Sequence, residues 1–104
     1  MTIVHHRIFY GKIGSAERLI EHVQQGNIMA RGTGIAIRPR VLSDFQSGRT
    51  DRVIMEWEVE DVGELQSFWD EMSAYPEMTE TFQEWFKELT ELIHYAEVEN
   101  FQVH

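Results

Sequence analysis

Cysteine is absent from all 104 residues. Its absence excludes disulfides, thiolate nucleophiles and thiolate metal sites together, and it suits a reducing interior. Only two prolines occur, Pro39 and Pro76. Basic residues are scarce, with 9 Lys and Arg against 18 Asp and Glu, a formal charge of -9. Such a chain repels phosphate backbones and anionic lipid surfaces, so neither nucleic acid nor a membrane is an expected partner. No window approaches the ~20 consecutive apolar residues of a membrane span. The start, Met1-Thr2-Ile3-Val4-His5-His6-Arg7, lacks the basic opening and unbroken apolar run of a secretory signal. A cytoplasmic protein is the expectation. Missing too are a Gly-rich phosphate loop, a Ser nucleophile elbow, a clustered Asp/Glu metal site and any internal repeat.

What is present is enough for one packed core. Hydrophobic residues make up 42% and aromatics 12%, so burial can offset the entropy of ordering, and the length suits a single domain over residues 1–104. From Thr2 to Tyr10, Ile3, His5, Arg7 and Phe9 fall on one face and Val4, His6, Ile8 and Tyr10 on the other, the period of a strand with large side chains on both sides. Gly11 and Gly14 bracket a turn. Ser15 is placed to cap a helix carrying Ala16, Leu19, Ile20 and Val23, with Gly26-Asn27 as its expected stop. Residues 28–34 take no assignment. Two strands follow, Ile35 to Phe45 and Arg52 to Glu60, joined by the polar Gln46–Asp51 linker and expected to pair antiparallel. Pro39 has no N–H and places the first of them at a sheet edge.

Asp61 is placed to cap a second helical stretch, where Val62, Leu65, Phe68, Trp69 and Met72 recur at helical spacing. Tyr75-Pro76 breaks it, since the residue before proline avoids helical geometry and proline opens a new helix well. Met78, Phe82, Trp85, Phe86, Leu89, Leu92 and Ile93 form the continuing stripe, with Glu77, Glu80, Glu84, Glu88 and Glu91 on the solvated face. Glu97 to Val103 reads as a closing strand. The order strand, helix, strand, strand, kinked helix, strand is an α+β, ferredoxin-like arrangement with a four-stranded antiparallel sheet. Two helices from one short chain cover one face only, so the other face calls for a second copy: a homodimer is expected.

Candidate chemistry gathers on the strands. Arg7 sits among Ile3, His5 and Phe9, where a guanidinium needs an anionic partner: an acidic side chain such as Glu56 or Glu58 is the preferred one, an acidic ligand the alternative. Arg38 and Arg40, two apart on one strand face, either grip a carboxylate or phosphate or simply guard an edge with charge, the second role being favoured. His5 and His6 point to opposite faces and so cannot share a metal ion without a bulge. Either is a general-base candidate, since histidine titrates at ~6.5. His22 and His94 fall on separate predicted helices without metal-ligand spacing. Neither metal nor cofactor is expected. Trp57, Trp69, Trp85, Phe68, Phe82 and Phe86 can line a pocket for a flat ligand, although core packing accounts for those on the helix stripes.

In this order of elements, with a kinked second helix, the chain resembles the dimeric α/β barrel superfamily, and within it the NIPSNAP-like proteins. Their first strand commonly reads Glu-x-Arg-x-Tyr, followed by a Lys-Pro-Gly turn. The same frame here holds His5, Arg7, Phe9, Lys12, Ile13 and Gly14, of which Arg7, Lys12 and Gly14 fit and three depart. Trp57 matches a Trp that ends their third strand, and Tyr75-Pro76-Glu77 partly matches their Asp-Pro-Glu break. The resemblance implies two four-stranded sheets packed face to face in a homodimer. Function is read from the residues: polar side chains interspersed on an otherwise core-facing first strand point to binding of a small organic or anionic ligand between sheet and helices, with His5, Arg7, Phe9 and Trp57 at the pocket and Arg38 and Arg40 as further ligand contacts. The chain is similar more distantly to antibiotic-biosynthesis-type monooxygenases and haem-degrading enzymes. That second resemblance implies a cofactor-independent monooxygenase or isomerase on an aromatic or polyketide-like substrate, with His5 or His6 as base and Arg7 stabilising an enolate. A structural dimer without ligand is the third reading.

Overall fold

The computed structural model describes residues 1–33 and 37–104. In chain order the elements are β1 (Thr2–Gly11), α1 (Ala16–Arg31), β2 (Arg40–Ser43), β3 (Arg52–Val59), α2 (Gly63–Ser73), α3 (Pro76–Leu92) and β4 (Ile93–Val103). The strands form one antiparallel sheet in the order β2-β3-β1-β4. β1 is central, with Ile3 opposite Val59 and Tyr10 opposite Arg52 on one side, and Thr2 opposite Val103 on the other. This is the ferredoxin-like α+β architecture that the periodicity predicts, with β2 at an edge.

Alternation along the strands sorts the side chains. Ile3 and Phe9 of β1 join Val53, Met55, Trp57 and Val59 of β3 in a core with Leu19, Val23 and Ala30 of α1, Phe68 of α2, and Trp85 and Leu89 of α3. All the helices therefore lie on one side of the sheet. Among the described residues no helix covers the other side, which carries Val4, His6, Ile8, Leu42 and Ile54, although Ile8 at its centre is only 5% exposed between its neighbours on the sheet. The fold is 18 Å thick against 37 Å in each other direction, the depth of one sheet and one helix layer.

Several boundaries differ from the sequence reading, each for a physical reason. α1 does not stop at Gly26-Asn27 but continues to Arg31, burying Gly26, Asn27 and Ala30. Gly26 is instead a notch: a Cβ there would lie 2.6 Å from Cζ2 of Trp85. The indole in that notch donates from Nε1 to the His22 carbonyl at 2.7 Å, and His22 Nε2 donates to the Trp85 carbonyl at 2.7 Å, so α1 and α3 are clamped reciprocally. Ser15 occupies the N-cap of α1 without a side-chain cap bond. The Ala16 N–H is taken by Asp51 Oδ1 at 3.0 Å, reaching across from the β2–β3 loop. Asp61 likewise makes no side-chain cap; Val62 holds that position.

β2 is only four residues long, and Pro39 precedes it rather than sitting inside it. The expected start at Ile35 lies outside the described residues. Pro76 breaks the long helix fully into α2 and α3, with Tyr75 extended at φ -118° and ψ 103°. β4 begins at Ile93, earlier than Glu97, which moves His94 from helix to strand. As an edge strand exposed on both faces, β4 has no burial pattern to announce it.

Candidate functional site

On the helix side of the sheet, β1 places His5 and Arg7 two residues apart, opposite Trp57 and Met55 of β3 and Asn100 and Val98 of β4. Over them lie Trp69 from α2 and Phe82, Trp85 and Phe86 from α3. Arg7, Met55, Trp57 and these four aromatic residues line a niche floored by Gly26, and all three tryptophans of the chain take part. The niche measures about 10 Å³, close to the least volume that holds one water. The expected pocket is therefore nearly closed by its own aromatic walls.

Arg7 has no carboxylate partner among the described residues. Its Cζ lies 5.9 Å from the centroid of the Trp69 ring, within cation–π range, and its buried Nε has no hydrogen-bond partner. Burial pushes the guanidinium pKa below its ordinary value. The preferred sequence reading, a salt bridge to Glu56 or Glu58, does not occur because both face the opposite side. There Glu56 accepts from His6 Nε2 at 2.8 Å and from Arg40 Nε at 2.7 Å, and Glu58 accepts from Arg38 at 3.0 Å. Burial alone would raise the Glu56 carboxyl, but those hydrogen bonds outweigh it and hold its pKa below the ordinary value.

His5 is buried, with Nδ1 2.8 Å from Asn100 Oδ1. An amide oxygen only accepts, so this contact sets the proton on Nδ1 and leaves a lone pair on Nε2 in the neutral ring. Burial lowers the imidazole pKa below 6.5; the Asn100 bond opposes this, and the charges of Arg7 and His6 add to it. His5 is thus a neutral base candidate beside a fixed cation. Trp57 donates from Nε1 to Asn27 Oδ1 at 2.8 Å, a buried bond that fixes the indole.

Of the residues singled out in the sequence, His5, Arg7 and Trp57 come together. Phe9 is 1% exposed and packs edge-on to Trp85 beneath the niche. His6, Arg38 and Arg40 lie on the other face, each engaged with a glutamate. Sequence reasoning missed Asn27 and Asn100, and the position of Trp69 over Arg7. For Asn27 a signal was available: Leu19, Val23, Asn27 and Ala30 continue the helical stripe past Gly26. Among the described residues, no group of three His, Asp or Glu is placed to hold a metal ion. No helix of the described residues is long and apolar enough to cross a membrane.

Comparison of the sequence with protein-family models and with curated proteins gives no match. Solved structures are similar. An uncharacterized NIPSNAP domain protein from Burkholderia xenovorans superposes with a TM-score of 0.76 at 15% identity, covering 98% of this chain and 94% of that one. A NIPSNAP family protein from Agrobacterium tumefaciens gives 0.72 at 16% identity, covering 98% and 92%. A dimeric protein of unknown function with a ferredoxin-like fold from Bacteroides fragilis gives 0.67 at 12% identity, covering 98% and 96%. Identities this low speak to architecture alone, and on that evidence the chain has the ferredoxin-like fold of NIPSNAP-domain proteins.

Proposed function

We propose that this chain is a homodimeric binding domain for a small organic ligand, received between the sheet and the α2–α3 pair at Arg7. One observation carries the reading: a largely buried guanidinium, with an unpartnered Nε, stands in a niche walled by three tryptophans. A solely structural core gains nothing from an unpaired cation, since burying one costs several kcal/mol unless something compensates it. Ligand entry requires the Trp69 ring to swing outward. That ring is only partly buried, and α2 packs mainly on α3 rather than on the strands.

The dimer is supported by the bare sheet face. The chain exposes 6787 Å², whereas a compact monomer of 12.3 kDa exposes about 6100 Å². The excess, roughly 700 Å², approaches the ~800 Å² that each partner buries in a standard interface. Charges on this face are already paired within the chain through His6, Glu56 and Arg40, so a second copy can cover them without stranding an ion. A thermal-shift screen of neutral and charged aromatic compounds tests ligand binding. At least one class should raise the melting temperature of the wild type; a screen in which none does removes the ligand.

The arrangement of His5 supports a second reading, a cofactor-independent monooxygenase or isomerase acting on an aromatic or polyketide-like substrate. A neutral imidazole with a free Nε2 lone pair, two residues from a cation, suits proton abstraction next to a carbonyl, with Arg7 stabilising the enolate. Turnover that survives His5→Gln would eliminate it.

A further inference from the structure

The niche constrains what kind of molecule it takes. Its walls are apolar apart from one guanidinium, being lined by the indoles of Trp57, Trp69 and Trp85 with Phe82, Phe86 and Met55. Among the described residues no second cation lines it, and Arg38, Arg40 and Arg52 are held by Glu58, Glu56 and Asp44. A single buried positive charge balances a single negative one. A dianion would leave a charge uncompensated in an apolar setting, and a neutral guest, even one whose carbonyl accepts from Arg7 Nε, would leave the guanidinium charge unbalanced. The formal charge of -9 repels anions at long range, but that field is screened within a Debye length of ~10 Å, and selectivity comes from the local pair.

We infer that the ligand of this site is a small planar monocarboxylate, its carboxylate on the Arg7 guanidinium and its flat apolar body between the tryptophan rings. This rests on the proposed binding function and narrows it to a chemical class. Guanidinium matches carboxylate by a planar fork of N–H donors, and Nε is one tine of that fork. The Trp69 ring now lying over Arg7 is the wall that the guest displaces, exchanging one flat π face over the guanidinium for another.

Because every tryptophan lines the niche, intrinsic fluorescence reports its occupancy directly. The purified 104-residue chain is titrated with benzoate, with benzamide as its neutral isostere, and with inorganic phosphate. The inference expects saturable quenching by benzoate with a Kd near or below ~1 mM, and affinities for benzamide and phosphate at least about tenfold weaker. Arg7→Met should lose about tenfold or more of the benzoate affinity and bind benzoate and benzamide alike. Should Arg7→Met fail to fold by far-UV circular dichroism, Arg7→Lys serves: it keeps the preference for benzoate over benzamide at reduced affinity, because the charge remains and the fork is gone. Binding of benzamide as tight as that of benzoate overturns the monocarboxylate while leaving a ligand site standing. Phosphate binding as tight as benzoate overturns it in favour of a generic anion. No quenching by any of the three overturns the inference, and only a silent thermal-shift screen removes the site as well.

Discussion

Gly26→Ala is the sharpest probe of how α1 and α3 meet. At an ordinary exposed position inside a helix, this change stabilises by about 1 kcal/mol, because alanine loses less backbone freedom on folding. Here the new methyl would lie 2.6 Å from Cζ2, 2.7 Å from Cε2 and 2.9 Å from Nε1 of Trp85. The indole has to move, and with it the two 2.7 Å hydrogen bonds that tie His22 to Trp85. Overpacking costs about 1–3 kcal/mol and each loosened hydrogen bond about 0.5–1.5 kcal/mol. Against the propensity gain the net is a loss of roughly 1–5 kcal/mol, which at about 4–8 °C per kcal/mol lowers Tm by several degrees or more in a domain of this size. Thermal unfolding by circular dichroism measures it. A Trp85→Phe background should shrink the effect of Gly26→Ala, since the smaller ring relieves the overlap and the pair is then visibly coupled. A rise in Tm for Gly26→Ala in the wild-type background would refute the notch.

Acidification should destabilise the protein. The His5 pKa is lowered by burial, so the unfolded chain binds its proton first and stability falls as pH drops through 6.5 towards the lower folded value; His5→Gln should flatten the urea-midpoint profile in that window. Glu56 and Asp44 are also held below their ordinary values of 4.5 and 3.8, so their contributions are lost below those pH values, with the same sign. Asn27→Leu should cost about 1–3 kcal/mol in urea unfolding by leaving the buried Trp57 Nε1–H without an acceptor; an unchanged midpoint would show that the bond contributes nothing. Ile54→Arg places a charge opposite Ile8 and Leu42 on the bare face, and should give a folded monomer by sedimentation.

The parts of the fold that follow from local periodicity were legible in the sequence. Strict alternation placed His5 and Arg7 on one face of β1 and His6 on the other, and the spacing from Met78 to Ile93 with Pro76 ahead of it placed α3. What failed depended on partners distant in sequence. A helix-ending glycine and a glycine that admits an indole look alike until Trp85 is placed against Gly26. The capping oxygen for α1 comes from Asp51 rather than the adjacent Ser15 because the β2–β3 loop folds back over the helix start. The start of β4 was hidden because an exposed edge strand needs no apolar face. At the site, alternation brought out Arg7 and His5, but not that Glu56 and Glu58 turn away from Arg7, nor that Trp69 covers it. Those facts belong to the pairing register and to the placement of α2.

The account stands most directly on the sheet face that the helices leave bare. Light scattering coupled to size exclusion at micromolar concentration should report twice the 12.3 kDa chain mass, with native circular dichroism throughout. A stable, fully folded species at the mass of one chain would contradict it.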